Sequence, residues 1–182
     1  MQQPLPMHNI HLRPIVATDE AFLRALYAEV RSQELEVTGW SDEQKWQFCN
    51  MQFDAQDRHY RAQYPDGEFH LIEQFGIEKA EAEAIAIGRM YCARDVAARE
   101  DVLIEMAIVA GARGRGIGSA LIKSMLERAA ASGHCVSLQV EPQNPARRLY
   151  ARFGFVTVAG DEIREQMRWQ PASNAGHQSS TA

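Results

Sequence analysis

Residues 101–118 set the strongest constraint on what this chain can become. An apolar run at 101–109 is followed at once by a glycine-rich turn, and the turn by a helix-forming segment from about 117 to 132. In the run, Val102, Ile104, Met106 and Ile108 alternate with Leu103, Glu105, Ala107 and Val109. Both faces are therefore largely apolar, which predicts a central strand covered on each side. A covered strand that turns through glycines into a helix commits the chain to helices packed on a sheet.

The flanking segments agree. Residues 9–15 read as a first strand, ending near Pro14 and Thr18-Asp19, where a helix can be capped. A helix is expected over 20–34, from Phe22, Leu23, Leu26, Tyr27 and Val30 at helical spacing. Ser41-Asp42-Glu43-Gln44 has the form of a capping box and opens a second helix running to about 63. Trp46, Cys49, Phe53 and Tyr60 form a stripe on it, flanked by Phe48 and Met51; such a stripe is more often core than the lining of a groove. Strands are expected at 68–74 and 84–93, joined by a polar connection at 76–83, and again at 136–140, 155–158 and 163–169, with a short helix at 145–153. The expectation is an α/β (α+β) domain over 9–170: a central mixed sheet of about six to seven strands flanked by about four helices. Residues 1–8 and the Ser, Asn, Gly and Gln-rich 171–182 are expected to be flexible ends.

Composition narrows the partners. Nineteen basic against 24 acidic residues give a net charge of −5 in 182 residues, which argues against a general nucleic-acid binder. The charge is unevenly split: residues 1–88 hold 7 basic and 15 acidic side chains, residues 89–182 hold 12 and 9. Cys49, Cys92 and Cys135 are too far apart for a zinc site or a disulfide framework and read as small buried hydrophobes. No H-E-x-x-H or G-x-S-x-G pattern occurs, and no metal is expected. His59, His70 and His134 lie in no recognisable constellation, and His8 and His11 near the start read as solvated. The opening residues do not read as a signal peptide, and no apolar run is long enough to span a membrane. A cytoplasmic protein, monomer or homodimer, without membrane partners, is the expectation.

The chemistry concentrates in Ala112-Arg113-Gly114-Arg115-Gly116-Ile117-Gly118-Ser119. At a strand-to-helix junction, backbone N–H groups and the helix dipole favour an anion, and glycines let the main chain approach a phosphate closely. Arg113 and Arg115 add positive charge. A Walker A loop is excluded, because Ile117 stands where Lys is required. The dinucleotide fingerprint fails as well, with Ser119 at its third glycine position. Downstream, Asn144-Pro145-Ala146-Arg147-Arg148-Leu149-Tyr150-Ala151-Arg152-Phe153-Gly154-Phe155 places Asn144 as a helix cap and Tyr150 on the face of Ala146 and Phe153.

Together, the Arg-x-x-Gly-x-Gly loop after a buried strand and the later Asn-x-x-Ala-x-x-Leu-Tyr and Gly-Phe closely resemble the GNAT superfamily of acyl-CoA N-acyltransferases. Leu12-Arg13-Pro14 is similar to that family's first strand, and the resemblance covers about residues 10–169. One departure is Ala110, where many members have Pro, so the exit from the strand is less constrained.

The resemblance implies acetyl-CoA as co-substrate, with its pyrophosphate on the backbone N–H groups of Arg113, Gly114, Arg115, Gly116, Ile117, Gly118 and Ser119. It implies pairing of the pantetheine arm with Met106, Ala107 and Ile108, a hydrogen bond from Asn144 to that arm, and Tyr150 as general acid toward the departing thiolate. The acceptor would be a small-molecule or peptide amine meeting the first two helices and the loop around Trp40. Glu105 is the candidate base, against the alternative of a paired carboxylate facing away from the site. A CoA-binding sensor without transfer activity, or an acyltransferase with another donor or acceptor, remains open.

Overall fold

The computed structural model describes residues 9–76 and 84–172; the expected flexible start, nearly all of the expected tail and nearly all of the 76–83 connection lie outside the described residues. The elements are β1 (Ile10–Pro14), α1 (Glu20–Glu36), α2 (Asp42–Gln63), β2 (Glu68–Gln74), β3 (Ile85–Asp95), β4 (Glu100–Ile108), α3 (Ile117–Ser132), β5 (Cys135–Val140), α4 (Ala146–Arg152), β6 (Val156–Gly160) and β7 (Glu165–Trp169). The strands form one sheet in the order β1-β2-β3-β4-β5-β7-β6. Only β4 and β5 are parallel. The mixed sheet with four helices expected from the sequence is therefore observed, with β4 at its centre.

Helices cover both faces. Ile72 packs with Ile117, Leu121, Ile122 and Met125 of α3 and Tyr150 of α4, while its neighbour Leu71 packs with Leu23 and Tyr27 of α1 and Cys49 and Phe53 of α2. Adjacent strand residues point to opposite faces, so the two helix pairs lie on opposite sides. The capping box forms as read: Gln44 N donates to Ser41 Oγ at 3.3 Å and Ser41 N donates to Gln44 Oε1 at 2.9 Å.

Several expectations are corrected. Asp19 makes no side-chain cap on α1. Its carboxylate closes the preceding 3-10 turn by accepting from Val16 N at 2.8 Å, and takes both terminal nitrogens of Arg13 at 2.7 Å. On α2 the buried stripe shrinks to Cys49 and Phe53, and Trp46 is 44% exposed. Val30 also faces outward on α1. The last strand begins at Glu165, because Asp161 Oδ1 accepts from Ile163 N and Arg164 N and holds those residues in a turn.

The most consequential correction concerns the alternation in β4. Tyr91 pairs with Glu105, but Cys92 pairs with Leu103, so Ile104 is an extra residue. Such a bulge bends its strand and shifts the side-chain alternation. Leu103, Met106 and Ile108 consequently all pack with the α3 and α4 core, against the simple two-residue period.

Where β4 and β5 do pair, buried Asp101 accepts from Arg94 Nε at 2.8 Å and lies 3.0 Å from His134 Nδ1. Burial alone would raise its carboxyl, but the bonds to Arg94 and His134 hold it below the ordinary value. Further along, Gly88 pairs with Ile108. A Cβ at Gly88 would lie 2.3 Å from the Ala107 carbonyl oxygen and 3.0 Å from Ile72 Cδ1. The carbonyl belongs to the backbone and cannot swing aside. Gly88→Ala is expected to lower stability by about 3 kcal/mol, read as a shift of the urea unfolding midpoint.

Candidate active site

The bulge at Ile104 coincides with a parting of the sheet. β4 and β5 pair only from Glu100–Cys135 to Leu103–Leu138, although β4 continues to Ile108 and β5 to Val140. Beyond Leu103 the β5 side of β4 has no strand partner among the described residues, which leaves main-chain groups open to a ligand. A cavity of about 730 Å³ occupies this split. Its walls include Glu105, Met106 and Ala107 on β4, Gln139 and Val140 on β5, and Asn144 and Tyr150 beyond. Of the residues singled out in the sequence, five therefore converge. Ile108 and the loop residues Arg113 to Ser119 do not line the cavity; they stand at the far end of β4 and beyond it.

Tyr150 is 7% exposed and stacks edge-on against Phe155, with ring centroids 5.8 Å apart. Burial pushes its hydroxyl up to about 12, so the phenol is neutral and able to donate at ordinary pH. Asn144 serves as the cap read from the sequence: its Oδ1 accepts from Ala146 N at 2.9 Å. That bond fixes the side chain and leaves its NH₂ as the donor available to a ligand.

Glu105 is paired, yet it faces the cavity, combining features of both expectations. Arg89, only 2% exposed, donates through Nε to Glu105 Oε1 at 3.1 Å and through Nη2 to the same oxygen, while Nη2 also reaches Gln56 Oε1 at 3.0 Å. Tyr27 and Phe53 present their rings to this guanidinium, 5.9 and 5.7 Å away, which helps to offset its burial. The second oxygen, Oε2, is buried without a hydrogen-bond partner, as is the hydroxyl of Tyr91. Burial and the nearby Glu105 charge raise the hydroxyl of Tyr60, which also lines the cavity.

Sequence reasoning passed over Arg89 and Gln56. Arg89 had a signal, as the sole charged residue in the apolar segment Ile85 to Cys92. The first two helices do reach the cavity, through Val30, Arg31, Glu34, His59, Tyr60 and Gln63, but Trp40 does not. His59, set aside in the sequence, belongs to this wall, whereas His134 belongs to the Asp101 pair.

At the end of β4 a 3-10 turn at Ala110–Ala112 leads into the glycine loop, where Gly114 and Gly116 adopt φ of 73° and 82°. L side chains rarely adopt these angles, and without Cβ atoms at these turns the main chain can approach an anion closely. Arg113 is not freely solvated: its Nε donates to the Ile108 carbonyl at 2.7 Å. Arg115 is exposed at the loop tip.

A parted β4/β5 pair with a glycine loop at the strand's end is a specific arrangement, and it falls within a region matched by comparison with known proteins. The family model for the acetyltransferase (GNAT) domain matches the chain from β2 through the loop and α4 into β6. Residues 70–157 match a GNAT acetyltransferase domain. Among solved GNAT-fold structures, the PaiA N-acetyltransferase of Thermoplasma acidophilum, determined with coenzyme A, aligns over 88% of this chain and 98% of its own, at 17% identity and a TM-score of 0.60. A spermidine N-acetyltransferase, the SpeG chimera from Vibrio cholerae and hSSAT, aligns over 89% and 95% at 20% identity and a TM-score of 0.59. A GCN5-related N-acetyltransferase from Rhodopseudomonas palustris aligns over 90% and 97%, at 17% identity and a TM-score of 0.58. At these identities the likeness is one of fold. No curated protein matches the sequence. Among the described residues of this chain, no group of three or more His, Cys, Asp or Glu is placed to hold a metal, and no helix is long and apolar enough to cross a membrane.

Proposed function

We propose that this protein is an N-acetyltransferase that moves an acetyl group from acetyl-CoA to a primary amine by direct attack in a ternary complex. The observation that carries the reading is the split between β4 and β5, with Tyr150 and Asn144 on the cavity it opens and the glycine loop at the end of β4. In this reading the N–H groups from Arg113 to Ser119 hold the pyrophosphate. The open edge at Met106 to Ile108 pairs with the pantetheine arm, to which the Asn144 amide also donates.

Acetyl-CoA supplies an activated thioester, in which the new C–N bond replaces the C–S bond. The protein's part is to position the reactants and handle charge. A β4 main-chain N–H meets the developing oxyanion, and the Tyr150 hydroxyl donates to the departing sulfur. Glu105, held by Arg89 on the cavity wall, takes through water the proton that an arriving ammonium must lose.

Thiol release from acetyl-CoA, followed across a panel of primary amines, tests the reading. Release stoichiometric with N-acetylation of at least one amine is expected. Tight binding of acetyl-CoA with no release for any acceptor would instead make the chain a CoA-binding sensor. Release with hydroxyl acceptors or longer acyl donors alone would make it an acyltransferase of another specificity.

A further inference from the structure

Ala110 begins the 3-10 turn that carries the chain out of β4 toward the glycine loop. An N–H at the start of a helical turn has no acceptor within the turn itself. Here it has one from a distant element: Ala110 N donates to Glu29 Oε1 of α1 at 2.5 Å, across 81 residues of sequence. The same oxygen lies 4.0 Å from Arg113 Nη2, whose own Nε returns to the Ile108 carbonyl. A single carboxylate from α1 thus bonds the strand exit at Ala110 and lies near the Arg113 guanidinium. Glu29 does not line the cavity, but the residues that follow it on α1, Val30, Arg31 and Glu34, do.

We propose that Glu29 is a positioning residue that ties the acceptor-side helix to the turn before the anion loop, and so sets the affinity for coenzyme A without touching it. The inference rests on the reading of the loop given above as the pyrophosphate site. Its physical basis is preorganisation. Gly111 and Gly114 give the segment wide conformational freedom, and that freedom must be surrendered when an anion is held. A charge-assisted bond at Ala110 restricts it beforehand. The effect opposes simple electrostatics, since a carboxylate near the loop would on its own weaken phosphate binding.

That opposition makes the proposal testable with coenzyme A as the probe, by titration calorimetry on the full chain. Glu29→Ala is expected to weaken coenzyme A binding about tenfold and to raise the KM for acetyl-CoA, with kcat within about twofold. Glu29→Gln retains an acceptor oxygen and should stay within about threefold of wild type. Ala110→Pro placed in the Glu29→Ala background should restore affinity. Proline removes the N–H that needs a partner and fixes the geometry favoured at the first position of a helical turn. Val109, at φ −54° and ψ 144°, already has the extended conformation required before proline. Thermal melting of each variant separates these effects from loss of folding.

Unchanged affinity in Glu29→Ala, a Glu29→Gln variant that departs from wild type by more than about threefold, or a double variant as weak as Glu29→Ala would overturn the tie. A wild-type chain that does not bind coenzyme A overturns both this inference and the proposed function. A wild-type chain that binds, alongside a Glu29→Ala variant that binds equally well, overturns the tie alone.

Discussion

Gly116→Asp is expected to abolish coenzyme A binding while leaving the protein folded. Gly116 sits at φ 82° at the entrance to α3, so any L side chain there carries about 1–2 kcal/mol of backbone strain. Aspartate adds a second and larger effect. A carboxylate about 4 Å from a phosphate charge costs about 4 kcal/mol at an effective dielectric near 20, which is close to a thousandfold in affinity. Gly116→Ala isolates the strain, and should lose no more than about thirtyfold. Calorimetry with coenzyme A reads both variants, and thermal melting checks that each is folded. If the aspartate variant binds as wild type does, the loop is not the pyrophosphate site.

Tyr150→Phe should reduce turnover about a hundredfold and change coenzyme A affinity only a few-fold. The ring remains to pack against Phe155 in the core beneath α4, so the variant removes a proton donor and little else. Because burial lifts the hydroxyl to about 12, the phenol stays protonated at physiological pH and well above it. Loss of its proton therefore contributes no falling limb to the wild-type rate near neutral pH. The decisive comparison uses an acetyl thioester whose thiol is a stronger acid than coenzyme A. Such a leaving group departs without a proton, and the gap between wild type and Tyr150→Phe should narrow. A gap of the same size with both donors would mean that Tyr150 does not act as the acid.

Much of this arrangement was legible because it is local. The covered strand, the glycine turn, the capping box at Ser41 and the Asn144 cap are each set by residues a few positions apart, and all four are found. The features that escaped depend on two distant segments at once. Nothing within residues 100–108 marks Ile104 as the extra residue, because a bulge is defined only against the partner strand. Likewise, the aromatic stripe on α2 was wider in sequence than in the core. α1 and the sheet bury Cys49 and Phe53 and leave Trp46 in solvent. The pairing of Glu105 with Arg89 follows from the β3–β4 register and was invisible from either strand alone, although Arg89 among apolar neighbours was a visible oddity.

The short pairing between β4 and β5 also bears on how the molecule comes apart. Among the described residues, four pairs, Glu100–Cys135 to Leu103–Leu138, join strands β1–β4 to strands β5–β7 within the sheet. The sheet has a seam there, clasped at its closed end by Asp101, Arg94 and His134 and open at the other. Amides bordering the open end should exchange with solvent through small local openings, well before the molecule unfolds globally. A ligand lying along the seam would act as a removable stitch. Resistance to heat and to proteolysis would then rise with the logarithm of its concentration, making the protein's lifetime a readout of ligand supply.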